Sequence, residues 1–166
     1  LRSWSLLLAA AFGCAPAQPQ GQYRTWEVAG GDPGVSRYSE LDQIHRGNVH
    51  DLQVAWTYRS GDRWDGSTIQ ANPIVIDGLL YTTTPSLHAI ALDAATAEEV
   101  WRFDPFDGAQ GTGTNRGVSF WRDGDDARIL YCAGPYLYAL DASTGEPLAT
   151  FGVAGRSSIA LRAGRH

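Results

Sequence analysis

The chain has 166 residues, 43% of them hydrophobic and 19% charged, enough for one domain with a buried core and too apolar to stay disordered. Thirteen basic against eighteen acidic side chains give a net charge of -5 with no basic stripe, so nucleic acid is excluded as a partner. Six Trp, seven Tyr and nineteen Gly suit short strands joined by tight turns, and the expected class is all-β.

The chain opens with Arg2 and the apolar run "WSLLLAAAFG", followed by Cys14 and the small, polar stretch "APAQPQGQ". The run is too short to span a ~30 Å hydrocarbon core, which takes about 20 apolar residues as a helix. Residues 1–14 are therefore expected to be an export signal and 15–25 a linker. Cys14, directly after Gly13, is similar to a bacterial lipoprotein cleavage site, so anchoring to a membrane through Cys14 stands beside plain secretion to the periplasm. No Met occurs, even at position 1, and the chain is expected to be a fragment of a longer product.

From residue 73 the pattern "PIVIDGLLYTTTPSLHAIALDAATAEEVWRFD" alternates short β-branched or aromatic runs with breaks at Asp77-Gly78, Pro85-Ser86 and Asp93 to Ala97. From residue 117, "GVSFWRDGDDARILYCAGPYLYALDASTGEPLATFG" breaks at Asp123 to Asp126, Gly134-Pro135 and Asp141 to Gly145. Four strands fit each stretch. The phrase "ALDAATAEEVWRF" at 91–103 returns as "ALDASTGEPLATF" at 139–151, a period of 48 residues. The breaks are too short for crossover helices, so each copy is an antiparallel meander. One such sheet cannot bury both faces, and stacking copies around an axis makes the blades of a β-propeller. Residues 73–103 and 117–151 are expected to form two adjacent four-stranded sheets packed face to face, with Trp101 partly buried near their junction.

Within the corner, Asp141 can accept backbone N–H groups and Gly145 can turn left-handed without Cβ strain. Ala97 stands where the second copy has Gly145, which either costs up to ~1 kcal/mol or means a different turn. Trp101 follows Asp93 by eight residues and can lie flat between neighbouring sheets, whereas Ala149 holds that place after Asp141.

"LDAATAEEVWRFD" resembles the tryptophan-docking repeat of propellers in pyrroloquinoline quinone (PQQ) dependent dehydrogenases. "WEVAGGDPGVSRYSELDQIHRGNVHDLQVAWTYRSGD", residues 26–62, is similar to the lead segment of that family, and "QANPIVIDG", "NRGVSFW" and "LDASTGEPLATFGVAGR" follow in the same order. The closing phrase is closer to the glucose and quinate type than to the methanol type. The resemblance implies that residues 26–166 are the first part, about two four-stranded blades, of an eight-bladed propeller. It also implies PQQ with a divalent ion, calcium, as cofactors, an alcohol or sugar as substrate, and a quinone or cytochrome as electron acceptor.

PQQ is a flat quinone with three carboxylates, so its protein needs cationic forks and hydrogen-bonding amides. In the resemblance, Arg116 of "TNRGV" contacts the cofactor, with Gly117 beside it leaving room for close approach. Gln70 of "STIQANP" occupies the place of a Gln or Glu that faces the cofactor, and a neutral amide can donate to and accept from a quinone rim. Methanol-type relatives carry adjacent cysteines before the arginine, where this chain reads "GTGTN". The family's general base and calcium ligands have no counterpart here, so no catalytic or metal residue is assigned.

"DGDDAR" has Ala127 and Arg128 where a calcium loop needs ligand and glycine, and is expected to be a hairpin turn. "GTGTNRG" lacks the Lys-Ser/Thr ending of a phosphate loop. His45, His50, His88 and His166 have no ligand-like spacing and are expected at the surface or in turns, and Cys132 is expected in the core. Two function classes remain: an exported PQQ dehydrogenase, and a non-catalytic propeller lipoprotein acting as an outer-membrane assembly scaffold. Gln70 and Arg116 favour the first, because a scaffold has no chemical reason to keep them.

Overall fold

The computed structural model describes residues 25–159; the expected signal, nearly all of the linker and Cys14 lie outside that range. Eight strands follow a single turn of 3-10 helix at Val49–Asp51. β1 (Ile74–Ile76), β2 (Leu79–Thr83), β3 (Ala89–Asp93) and β4 (Glu99–Phe103) form one antiparallel sheet in chain order. β5 (Ser119–Asp123), β6 (Asp126–Ala133), β7 (Tyr136–Asp141) and β8 (Arg156–Ser158) form the second.

Local chemistry sets the turns. Asp77 and Gly78 both have positive φ, +50° and +82°, the demand of a two-residue type I′ hairpin. Gly124 and Gly134 take φ of +58° and +53° at the first central position of the next two-residue loops, where no Cβ stands in the way. "DGDDAR" is accordingly a hairpin, with Asp123 paired to Asp126.

The two corners are built alike. Asp93 Oδ1 accepts from the N–H groups of Ala95 at 2.9 Å and Thr96 at 2.8 Å, and Asp141 Oδ1 accepts from Ser143 at 2.8 Å and Thr144 at 2.9 Å. Ala97 N–H donates to the Asp93 carbonyl as Gly145 N–H does to that of Asp141. Ala97 holds φ of +63° beside +74° for Gly145, so the alanine corner keeps the glycine geometry and bears its strain.

The sheets pack face to face. Ile74, Ile76, Tyr81, Ala89, Ala91 and Trp101 of the first meet Ile129, Tyr131, Ala133, Tyr138 and Leu140 of the second in one core. Phe103 of the first sheet packs edge-on against Tyr131, and Tyr131 stacks on Tyr138 at 5.5 Å. Arg122 pairs with Asp77 across the rim.

Two expectations are corrected. The fourth strand of the second sheet is expected within "EPLATF", ending at 151, whereas β8 is Arg156–Ser158. Glu146 and Leu148 do bond the β7 backbone, at Asp141 and Ala139. The chain then leaves at Ala149, reverses at Ala154-Gly155 and resumes the same pairing against Tyr138 and Tyr136. Pro147, which has no N–H to give, is still bridged to Leu140, so the departure follows Leu148. Cys132 is exposed, not in the core: on β6 the inward parity belongs to Ile129, Tyr131 and Ala133, so residue 132 faces the other way. Trp101 is more buried than expected, at 7% exposure.

Candidate functional site

The loop ahead of β5 is held by side chains that the sequence left unremarked. Asn115, 9% exposed, donates from Nδ2 to the Cys132 carbonyl at 2.8 Å and accepts the Gly117 N–H on Oδ1 at 2.6 Å. A carbonyl can only accept and an N–H can only donate, so the amide has one orientation. From the segment just ahead of β1, Asn72 sends both its backbone N–H, at 2.9 Å, and its side-chain Nδ2, at 3.2 Å, to the Arg116 carbonyl. Gly117 has φ of +132°, and a Cβ there would stand 2.6 Å from the Asn72 carbonyl oxygen, so the two backbones approach as only glycine permits.

Arg116 is thus rooted where the two sheets meet. Its side chain is exposed, and among the described residues it makes no hydrogen bond or ion pair. It borders a cavity of about 550 Å³ whose wall also includes Leu87, Gly113, Asn115, Leu130 and Cys132. An unpaired guanidinium in a chain with excess acid, beside glycine backbone and an apolar wall, suits an anionic, partly flat ligand. Gln70 is exposed and does not border this cavity. Its segment nonetheless reaches the Arg116 loop through the Asn72 to Gly117 bridge, two residues further on.

A second polar cluster joins the lead segment to the first sheet. Arg102 Nη2 donates to the Tyr58 hydroxyl at 2.7 Å, the Ser60 carbonyl at 3.1 Å and Glu99 at 2.8 Å. Burial and the hydrogen bond to Glu99 push the Tyr58 phenol up to about 12. His88 accepts on Nδ1 from Arg102 Nη1 at 3.2 Å and turns Nε2 toward Asp104, 3.4 Å away. His88 lies in the β2–β3 turn, one of the two places expected of it, but it is largely buried in this network, with Asp62 from the lead segment, Arg102 of β4 and Asp104 just after it closing around it. Asp62 accepts from Thr84 and from the Ser86 N–H at 3.0 Å, tying residue 62 to the β2–β3 turn. This cluster attaches the lead segment to the first sheet, with Asp62 Oδ1 buried in it without a hydrogen-bond partner.

Among the described residues, no three His, Cys, Asp or Glu side chains gather in a way that could hold a metal ion. None of the described helices is long and apolar enough to cross a membrane.

Four-stranded meanders stacked face to face, each locked to the next through a corner, are blades of a β-propeller. The chain matches the family described as "PQQ: Glucose/ethanol/alcohol dehydrogenase, beta-propeller domain" over residues 26–166, and it belongs to that family. It is 34% identical over 129 residues to the quinohemoprotein alcohol dehydrogenase of Comamonas testosteroni, covering 73% of this chain and 17% of that protein. With quinoprotein glucose dehydrogenase A of Acinetobacter calcoaceticus it shares 42% identity over 96 residues, 55% of this chain and 12% of that protein. Its fold matches the structure of quinohemoprotein alcohol dehydrogenase ADHIIG from Pseudomonas putida HK5 with a TM-score of 0.68 at 30% identity, over 84% of this chain and 19% of that one. A europium-containing methanol dehydrogenase gives 0.60 at 27% identity, over 73% and 22%. The chain therefore spans between 12% and 22% of the length of these relatives.

Proposed function

We propose that this chain is the first part of an exported PQQ-dependent dehydrogenase that oxidises an alcohol, sugar or polyol and passes the electrons to a quinone or cytochrome. The observation that carries the reading is Arg116, whose carbonyl is held twice by Asn72 from ahead of the first sheet while its guanidinium stays free at the edge of a cavity. That donor set fits the group: a cationic fork matches a carboxylate with two parallel bonds, and glycine backbone lets a flat ring system come close. Bound PQQ supplies the two-electron chemistry; the residues described here orient it. Arg116 would hold a carboxylate, and Gln70, from the adjoining segment, would meet the quinone rim by donating and accepting through its amide. Calcium belongs to this reading as the second cofactor, with ligands outside the described residues.

Export rests on the apolar run before Cys14, and lipidation of Cys14 is its anchored variant. Mass spectrometry of the mature N-terminus distinguishes a diacylated Cys14 from a free terminus. The scaffold alternative is not favoured, since a partner-binding propeller needs no unpaired guanidinium at the edge of a cavity.

The test is a titration of the intact apoprotein with PQQ in the presence of calcium. Arg116→Ala should weaken binding by about ten- to a hundred-fold, the value of one charge-assisted bond, with little change in thermal stability. Unchanged affinity in the variant overturns the assignment.

A further inference from the structure

A free guanidinium on a mobile loop would lose most of its binding energy to the entropy of being ordered, so what fixes Arg116 matters as much as its charge. Two asparagines do this from different blades. Asn115 closes a tight turn over Arg116, its Oδ1 taking the Gly117 N–H and its Nδ2 anchoring the turn to the β6 carbonyl of Cys132. Asn72 clamps the Arg116 carbonyl with two N–H groups from the segment that precedes β1. The backbone before, at and after Arg116 is thereby held, while the side chain keeps its donors for a ligand.

We infer that Asn115 and Asn72 are positioning residues for Arg116, fixing its backbone across the blade boundary so that its guanidinium meets an anionic carboxylate in the cavity at a set place. The inference rests on the assignment of Arg116 to PQQ. It goes beyond that assignment by giving both asparagines a part in affinity and not only in holding the blades together. An asparagine that merely joined blades would contribute to stability alike with or without Arg116. A positioning residue contributes to PQQ affinity only while Arg116 is present.

The experiment is a mutant cycle on the intact protein, with PQQ binding followed by quenching of tryptophan fluorescence and thermal stability measured on the same samples. Asn115→Ala is expected to lower PQQ affinity about ten-fold and Asn72→Ala about three-fold, for the loss of two bonds and one. Combined with Arg116→Ala, neither should lower it further. Asn72 is exposed and its variant keeps the backbone bond, so Asn72→Ala decides the matter if Asn115→Ala does not fold. Asparagine variants that leave affinity within about two-fold, while Arg116→Ala lowers it, overturn the positioning role and leave the PQQ assignment standing. Losses of equal size with and without Arg116 overturn it too. An Arg116→Ala protein with unchanged affinity would sink the assignment and the inference together.

Discussion

The indole of Trp101 lies directly over Gly145 of the next blade: a Cβ at residue 145 would stand 2.6 Å from its ring carbons. The ring N–H donates to the Ala142 carbonyl at 2.9 Å, which also accepts the Tyr81 hydroxyl at 3.2 Å. Trp56 of the lead segment repeats the arrangement one blade earlier, donating to the Ala94 carbonyl at 3.2 Å. Ala94 and Ala142 hold equivalent places in the two corners, so each corner receives a tryptophan from the preceding stretch of chain. The repeat thus encodes the contact between blades as well as the blade.

Trp101→Ala should cost about 3–5 kcal/mol, the range for emptying a large aromatic site. Trp101→Phe keeps part of the ring contact but gives up the indole N–H. Because Tyr81 still satisfies the Ala142 carbonyl, its cost should be smaller, about 1–2 kcal/mol. Denaturant unfolding of the three proteins checks the order.

The alanine corner can be relieved. A left-handed L residue costs about 1–2 kcal/mol, while glycine adds about 0.4–1 kcal/mol of unfolded-state entropy, so Ala97→Gly should stabilise by roughly 0.5 kcal/mol. Gly145→Ala should destabilise by about 2 kcal/mol or more, since the same backbone strain is joined by overlap with the Trp101 ring. Opposite signs at equivalent positions are the expected outcome, and melting temperatures of the two variants measure them.

Acid should unfold the protein through its corners. The Ser143 hydroxyl and neighbouring N–H groups hold the Asp141 carboxyl below its ordinary range, and the Thr96 backbone N–H does the same first for Asp93. The folded state then binds fewer protons than the unfolded chain. This stability is complete above the unfolded carboxylate value, about 3.9, and is lost as pH falls through the lower folded values. Melting temperature should drop below about pH 4, and Asp141→Asn should start lower at neutral pH and fall less steeply. Thermal melts across pH 2 to 7 check both slopes.

The 166-residue chain by itself should associate and show no dehydrogenase activity with PQQ and calcium. Val35, Tyr38, Leu41, Ile44, Val49, Leu52 and Val54 are all about half exposed or more along one irregular stretch, and such apolar surface recruits other chains. Light scattering against concentration, with dye reduction across alcohols and sugars on the same sample, should give rising mass and no turnover.

The sequence by itself determined the blade. Asp77-Gly78 and Gly134-Pro135 state their hairpins through backbone preference, Asp93 and Asp141 state their corners through local hydrogen bonds, and the 48-residue period brings Trp101 to the next corner. It singled out Arg116 by resemblance, without what holds it. Only the tertiary structure decided the rest, because the deciding contacts join residues far apart in the chain. Asn72 meets Arg116 across 44 residues, and His88 gathers partners from residues 62, 102 and 104. The run "ILYCA" is apolar throughout, so it carries no alternation to reveal that Cys132 faces outward. The path from Pro147 to Arg156 was hidden for a similar reason: "EPLATF" has the makings of a strand, and its departure shows only where β7 accepts a later segment in its place. Local preference fixes turns and short strands, whereas pairing partners and the two faces of a sheet are settled by which surfaces are buried together.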